Sequence, residues 1–165
     1  MAVPELITAL LDELASAGIE FIVVGGAAGV IHGAPVTTKD LDIVHRRSPE
    51  NIARLMKVLG DIGAHFWPDV TQRHLPPRES DLAGRGQLNL QTRMGRLDVL
   101  CELNDQRGYE ELLAHTEEVP MGTALVRLLD LPTLIEVKAA AGRIKDRMVL
   151  PALIATMEER KKQEG

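Results

Sequence analysis

The stretch FIVVGGAAGVIHGAPVTTKDLDIV, residues 21–44, decides how the rest of the chain is read. An apolar run ends at Gly25 and Gly26, and a short helix-like segment follows. A second apolar run then opens with Asp40 and Asp42, one residue apart. Along a strand, side chains i and i+2 point to the same face, so these two carboxylates are close neighbours. Acids so placed repel each other and lose solvation, an arrangement comfortable only in open water or around a cation. Hard oxygen donors at this spacing suit Mg²⁺, which takes a couple of carboxylates and fills its remaining positions with phosphate oxygens and water.

The pair is half a metal site, and the other half calls for a third carboxylate on a neighbouring strand. GRLDVLCEL, residues 95–103, offers Asp98, alone among Leu97, Val99 and Leu100. Three carboxylates can hold two cations a few ångström apart, the arrangement used for in-line transfer of phosphoryl and nucleotidyl groups. The competing reading of Asp98 is an ion pair with Arg93 or Arg96. Gly25 and Gly26 stand where a strand hands over to a helix. Glycine there lets the backbone approach a phosphate closely, and a helix N-terminus offers free N–H groups and the positive end of a dipole. Without a ligand, the same glycines serve a tight turn.

Working outward, Leu6, Ile7, Leu10, Leu11 and Leu14 mark one face of a helix over residues 4–17, with Pro4 near its start and Gly18 closing it. SPENIARLMKVLGDIG, residues 48–63, has a serine cap, a first-turn proline and an apolar stripe of Ile52, Leu55, Met56, Leu59 and Ile62, which predicts a second helix. Residues 63–85, rich in proline, glycine and charge, read as a long surface loop. Alternation on either side of Met94 and Gly95 predicts a hairpin over 87–92 and 96–101. A short helix running into a strand is expected in GYEELLAHTEEV (108–119) and another strand in MGTALVRLL (121–129). Two helices broken near Gly142 follow, with a charged, frayed tail. This order predicts an α/β (α+β) domain with a small mixed sheet flanked by helices.

Composition sets the bounds. A chain of 165 residues that is 45% hydrophobic supports one domain with a real core, and at 2% aromatic that core must be aliphatic. One cysteine, Cys101, excludes an intrachain disulfide and reads as a buried small apolar residue. No apolar run is long enough to span a membrane, and the acidic amphipathic N-terminus lacks the basic start of a signal peptide, so a cytoplasmic location is expected. A net charge of -5 argues against a broad nucleic-acid footprint while leaving local basic clusters at Arg46-Arg47, Arg93-Arg96 and Lys138 to Arg147. The five histidines show no zinc-ligand spacing, and His32 is expected to pack or bond locally at the end of its short helix.

VVGGAAGVIHGAPVTTKDLDI, residues 23–43, resembles the signature of the nucleotidyltransferase superfamily, which includes DNA polymerase β. The pattern is similar to small bacterial members, among them toxin components of abortive-infection systems. Asp98 matches the third aspartate of that pattern, and Lys138 with GRIKDR (142–147) loosely matches its C-terminal elements. The resemblance implies a nucleotidyltransferase core over 1–128 with a helical segment, 129–165, packed on it. It implies Asp40, Asp42 and Asp98 as catalytic residues and metal ligands for two Mg²⁺ ions, with Mn²⁺ as a substitute. Gly25, Gly26, Thr38 and Lys138 would contact the nucleotide.

The implied reaction moves a nucleoside monophosphate from an NTP to an acceptor hydroxyl on a tRNA, a protein or a small molecule, and releases pyrophosphate. Two departures stand out: Val36 where many relatives carry arginine, and Gly26 where many carry serine. The alternative is a degenerate domain of the same fold that binds a nucleotide, a second copy or a partner protein, as in a toxin–antitoxin pair. A hydrolytic two-metal site fits less well, because glycines rather than a nucleophilic aspartate precede the acidic pair. Thr38 can also orient the loop before Asp40. Lys138, Arg143 and Lys145 read either as phosphate contacts or as a solvated face with pairs such as Lys145 with Asp146.

Overall fold

The computed structural model describes residues 3–164. In chain order the elements are α1 (Glu5–Ser16), β1 (Phe21–Val24), α2 (Gly25–Ile31), β2 (Asp40–His45), α3 (Pro49–Asp61), β3 (His65–Phe66), α4 (Glu79–Leu82), β4 (Gln87–Thr92) and β5 (Gly95–Leu100). There follow α5 (Tyr109–Leu112), a 3₁₀ turn (Leu113–His115), β6 (Thr116–Met121), β7 (Ala124–Leu129), α6 (Leu131–Ala141) and α7 (Ile144–Glu164). Among the described residues seven strands form one mixed sheet in the order β3-β4-β5-β2-β1-β7-β6.

The most apolar strands hold the middle. FIVV of β1 is buried along its whole length. It pairs antiparallel with β2 on one side and parallel with β7 on the other. A strand buried on both faces reads as a continuous apolar run rather than an alternation. β6 closes one edge and carries Glu117, Glu118 and Pro120, residues that an edge tolerates and that discourage further pairing. The buried cluster is dominated by Leu, Ile, Val and Ala, with Phe21 and Tyr109 its fully buried aromatics.

Helix α1 buries Ile7, Leu10, Leu11 and Leu14. Leu6, expected on that face, is 61% exposed. The buried set is an i, i+3, i+4, i+7 stripe, and Leu6 falls one residue behind it, about 100° round the helix. Helix α3 starts where its cap lies: the Ser48 side chain accepts from the Asn51 N–H at 3.4 Å. It buries Val58 beside the expected residues, while Met56 is half-buried.

The segment 63–85 is more ordered than a surface loop. His65 and Phe66 pair with Gln91 and Leu90, and α4 plugs Leu82 fully into the core. A two-residue strand and a one-turn helix are too short to leave a periodic trace. Met121 ends β6, and Gly122, at φ +64°, turns the chain into β7. The sequence pattern predicts both strands but puts Met121 and the turn in the second of them. Helix α7 runs to Glu164, so the charged tail is helical rather than frayed.

One buried amide ties the entry of α3 to the sheet. Asn51 is fully buried and accepts from the Glu20 N–H at 2.8 Å. Its side-chain NH₂ donates to the carbonyls of Glu20 at 2.9 Å and Arg46 at 2.8 Å. Truncating this residue strands the Glu20 N–H and the Arg46 carbonyl, each costing roughly 1–3 kcal/mol if it stays dry, while the Glu20 carbonyl keeps the Arg46 N–H at 3.1 Å. Asn51→Ala is therefore expected to lower the thermal midpoint by several degrees, at about 2–4 °C per kcal/mol for a chain of this size. Thermal unfolding followed by circular dichroism checks this.

Candidate active site

The register of β2 on β5 assembles the acids. The strands run parallel with Asp42 opposite Asp98 and Asp40 opposite Arg96. Alternation sends Leu41, Ile43, Leu97 and Val99 into the core, each without exposed surface, and leaves the three aspartates on the other face. Carboxylate oxygens of Asp40, Asp42 and Asp98 all come within 4.8 Å of one another. Asp98 is buried at 7% exposure, and Asp40 and Asp42 are half-buried. The solitary acid of an apolar strand is thus joined to the pair that precedes it by more than fifty positions.

Electrostatics at the cluster are unfavourable as they stand. Burial pushes Asp42 up to about 7, and the facing carboxylate of Asp98 adds to the shift. Burial raises Asp98 as well, while Arg96 and Lys145 pull the other way. Oδ1 of Asp42 and Oδ1 of Asp98 are buried without a hydrogen-bond partner among the described residues. An all-carboxylate donor set with two orphaned oxygens fits a hard divalent cation such as Mg²⁺. Arg96 supplies part of the compensation, its Nη2 lying 3.7 Å from Asp40 Oδ2 and 3.9 Å from Asp98 Oδ1. The expected alternative for Asp98, a pair with Arg96, is therefore present beside the acid cluster rather than instead of it. The guanidinium also stacks on the Trp67 ring, 3.7 Å from its centroid.

Gly25 stands against this cluster in the left-handed region, at φ +66°. A Cβ there would sit 2.2 Å from Asp42 Oδ2, so only glycine fits. At Gly26 a Cβ would meet Thr38 Oγ1 at 3.1 Å. The Thr38 hydroxyl itself donates to the Asp40 carbonyl at 2.9 Å, fixing the approach to β2 as its sequence position implied. Helix α2 begins at the glycines themselves, not after them.

The acids lie at the junction of two cavities. One, of about 320 Å³, is lined by Gly25, Gly26, Val36, Thr38 and, from α7, Val149 and Leu153. The other, of about 210 Å³, is bounded by Asp98, Asn104, Val137 and Arg143. Asp40, Asp42, Lys138 and Lys145 line both.

The C-terminal charges are arranged differently from the expected Lys145–Asp146 pair. Asp146 is fully buried and takes Lys138 Nζ at 3.2 Å and Arg143 Nε at 2.7 Å. Burial alone would raise its pKa, but the bonds from Arg143 and Lys138 outweigh it and hold the carboxyl below its usual range. Gly142, left-handed at φ +66°, ends α6 and turns the chain so that Asp146 faces back to Lys138. Lys145 is thereby directed to both cavities.

His32 packs at the end of its helix as expected, but its bonds are not local. Nε2 lies 2.7 Å from the Leu129 carbonyl and Nδ1 2.8 Å from Arg160 Nη1, linking α2 to β7 and to the far end of α7. Burial lowers its pKa, which suits a neutral ring accepting from Arg160 and donating to Leu129. Cys101 is buried, as expected. The histidines do hold one unforeseen grouping: ligand atoms of His65, Asp69 and His74 lie within 4.8 Å of one another. Sequence spacing missed it because a loop fold, not a helix period, brings them together.

No protein-family model and no curated protein matches the chain. Solved structures do match in fold, among them the following three. The lincomycin-bound lincosamide antibiotic adenylyltransferase LnuA aligns with TM-score 0.63 at 12% identity, over 94% of this chain and 99% of its own. A Thermotoga maritima protein described as a nucleotidyltransferase gives 0.57 at 15%, over 94% and 96%. An antigenic nucleotidyltransferase-like protein from Paracoccidioides brasiliensis gives 0.58 at 19%, over 93% and 74%. The chain has the nucleotidyltransferase fold. None of its helices is long and apolar enough to cross a membrane, among the described residues.

Two outcomes follow from this geometry. Well below the ordinary value of 3.8 Asp42 is protonated in both states and costs nothing; as pH rises from there towards 7 the unfolded chain ionises it and the folded metal-free protein resists, so stability is lost over that window. Asp42→Asn should therefore have a higher thermal midpoint than the unsubstituted protein at pH 8 without metal, and the gap should shrink as pH falls and close below 3.8. Gly25→Ala should lower the midpoint at every pH, because the added methyl collides with Asp42 whatever its charge; differential scanning calorimetry reads both.

Proposed function

We propose that the protein transfers a nucleoside monophosphate from an NTP to a hydroxyl on a small molecule. The observation that carries this reading is the position of Asp40 and Asp42 between two cavities, one reaching Gly26 and Thr38 and the other reaching Asp98. The nucleotide occupies the larger cavity. The first N–H groups of α2, at Gly25 and Gly26, have no partner inside the helix and are free to meet phosphate oxygens. Thr38 holds the loop beside them, and Val36 offers an apolar wall. Lys138, anchored by Asp146, and Lys145 supply positive charge to the triphosphate. Residues 129–165, in this reading, complete the site of the 1–128 core rather than forming a module of their own.

The acceptor enters the smaller cavity. Its hydroxyl oxygen attacks the α-phosphorus, forming the new P–O bond, and the bond from that phosphorus to the α,β-bridging oxygen breaks so that pyrophosphate leaves. Asp98, which borders the acceptor side, takes the hydroxyl proton. Asp40, Asp42 and Asp98 would hold Mg²⁺, or Mn²⁺, which when bound screens the phosphate charge and lowers the pKa of a coordinated hydroxyl. A cavity of about 210 Å³ suits a small acceptor. The net charge of -5 disfavours a polyanionic one. LnuA, a neighbour in fold, was captured with lincomycin.

Calorimetric titration with each NTP tests the reading. The expected result is binding of one NTP that requires Mg²⁺ and is lost in Asp42→Asn, followed by pyrophosphate release when a hydroxylated small molecule is added. A folded protein that binds no NTP in the presence of Mg²⁺ rules the transfer out.

A further inference from the structure

The grouping of His65, Asp69 and His74 lies outside the acid cluster and plays no part in the reaction above. His65 is on the edge strand β3, and the chain then loops out and returns so that the Phe66 N–H donates to the Leu75 carbonyl at 2.9 Å. That return brings the two imidazoles edge to face, with centroids 4.8 Å apart and planes at 69°. Asp69 Oδ2 lies 2.7 Å from His74 Nδ1. Its two oxygens also accept from the N–H groups of Arg73 and His74, each at 3.1 Å, which fixes the carboxylate between the arms of the loop. His65 Nδ1 sits 3.3 Å from the Gly63 carbonyl, so Nε2 is the ring atom left for a ligand.

Two imidazoles and one carboxylate are the donor set of Zn²⁺ and its transition-metal neighbours, not of Mg²⁺, which prefers oxygen alone. The His74 side chain is 68% exposed, so water has access to complete the coordination. We infer that His65, Asp69 and His74 bind one transition-metal dication of the zinc class, and that this ion clamps the loop that carries Trp67. The clamp reaches the acid cluster through two contacts already described. Trp67 stacks on Arg96, and Arg96 faces Asp40 and Asp98. The inference stands whether or not the transfer reaction does, because its ligands are separate from the three aspartates.

Trp67 is the chain's single tryptophan, so its fluorescence reports on this loop alone. Co²⁺ is the probe, titrated in excess Mg²⁺ and followed by visible absorption and by tryptophan emission. The expected result is one Co²⁺ bound with concurrent quenching of Trp67, displaced by Zn²⁺ and unaffected by Asp42→Asn. His65→Ala and His74→Ala should each weaken binding by about tenfold or more. Both positions lie outside the buried core, and circular dichroism confirms that the variants fold. Failure to bind Co²⁺, binding unchanged in both histidine variants, or binding lost in Asp42→Asn each overturns the site. Binding without any change in Trp67 emission overturns the clamp.

Discussion

The parallel pairing of β2 with β5, which sets Asp42 beside Asp98, is the constraint on which the rest of the molecule depends. Two carboxylates facing each other in a half-buried sheet are costly, and Asp40 adds a third within reach. The surrounding structure either keeps the space around them clear or brings positive charge towards them. Gly25 gives up its side chain so that Asp42 has room, and Arg96, one register step along β5 from Asp98, turns its guanidinium to Asp40 and Asp98. The rigid part of this arrangement is the sheet itself, where strands with fully buried inward-facing residues cannot slip by one position without exposing Leu41, Ile43, Leu97 and Val99.

The C-terminal helices depend on the same frame. Leu153 of α7 reaches the space above Gly29, where a Cβ would come within 3.2 Å of it. Buried Asp146 fixes Lys138 and Arg143, and the His32–Arg160 contact pins the far end of α7 to α2. The wall of the larger cavity is thus held at one end by the local contacts of Asp146 and at the other by a polar contact between residues 128 positions apart. Such contacts cost little to keep and much to break, since each leaves a buried group without a partner.

Local pattern carried most of the fold and the centre of the site. The glycine pair, the Asp-x-Asp spacing and the lone acid in an apolar strand are all short-range signals; strand geometry makes neighbours of Asp40 and Asp42, and the parallel register of β2 on β5 adds Asp98. The β4–β5 hairpin and helix α3 were equally legible, because alternation and a capped apolar stripe are strong over six to thirteen residues. What escaped notice depends on distance. Asn51 looks like an ordinary helix residue until Glu20 and Arg46 are seen around it. Asp146 was read against its neighbour Lys145, although α6 and the Gly142 turn deliver Lys138 instead. Trp67 and the His65–Asp69–His74 grouping sit in a segment whose two-residue strand and irregular turns leave no period to detect.

The contact between Gly26 and Thr38 couples two positions that the sequence sets twelve residues apart. A Cβ at position 26 would come within 3.1 Å of the threonine hydroxyl, which is committed to the Asp40 carbonyl. Any side chain at 26 would make that hydroxyl give by a few tenths of an ångström and would strain the bond that sets the approach to β2. The glycine and the threonine are therefore one packing unit, and a change at either is felt at the first aspartate of the strand.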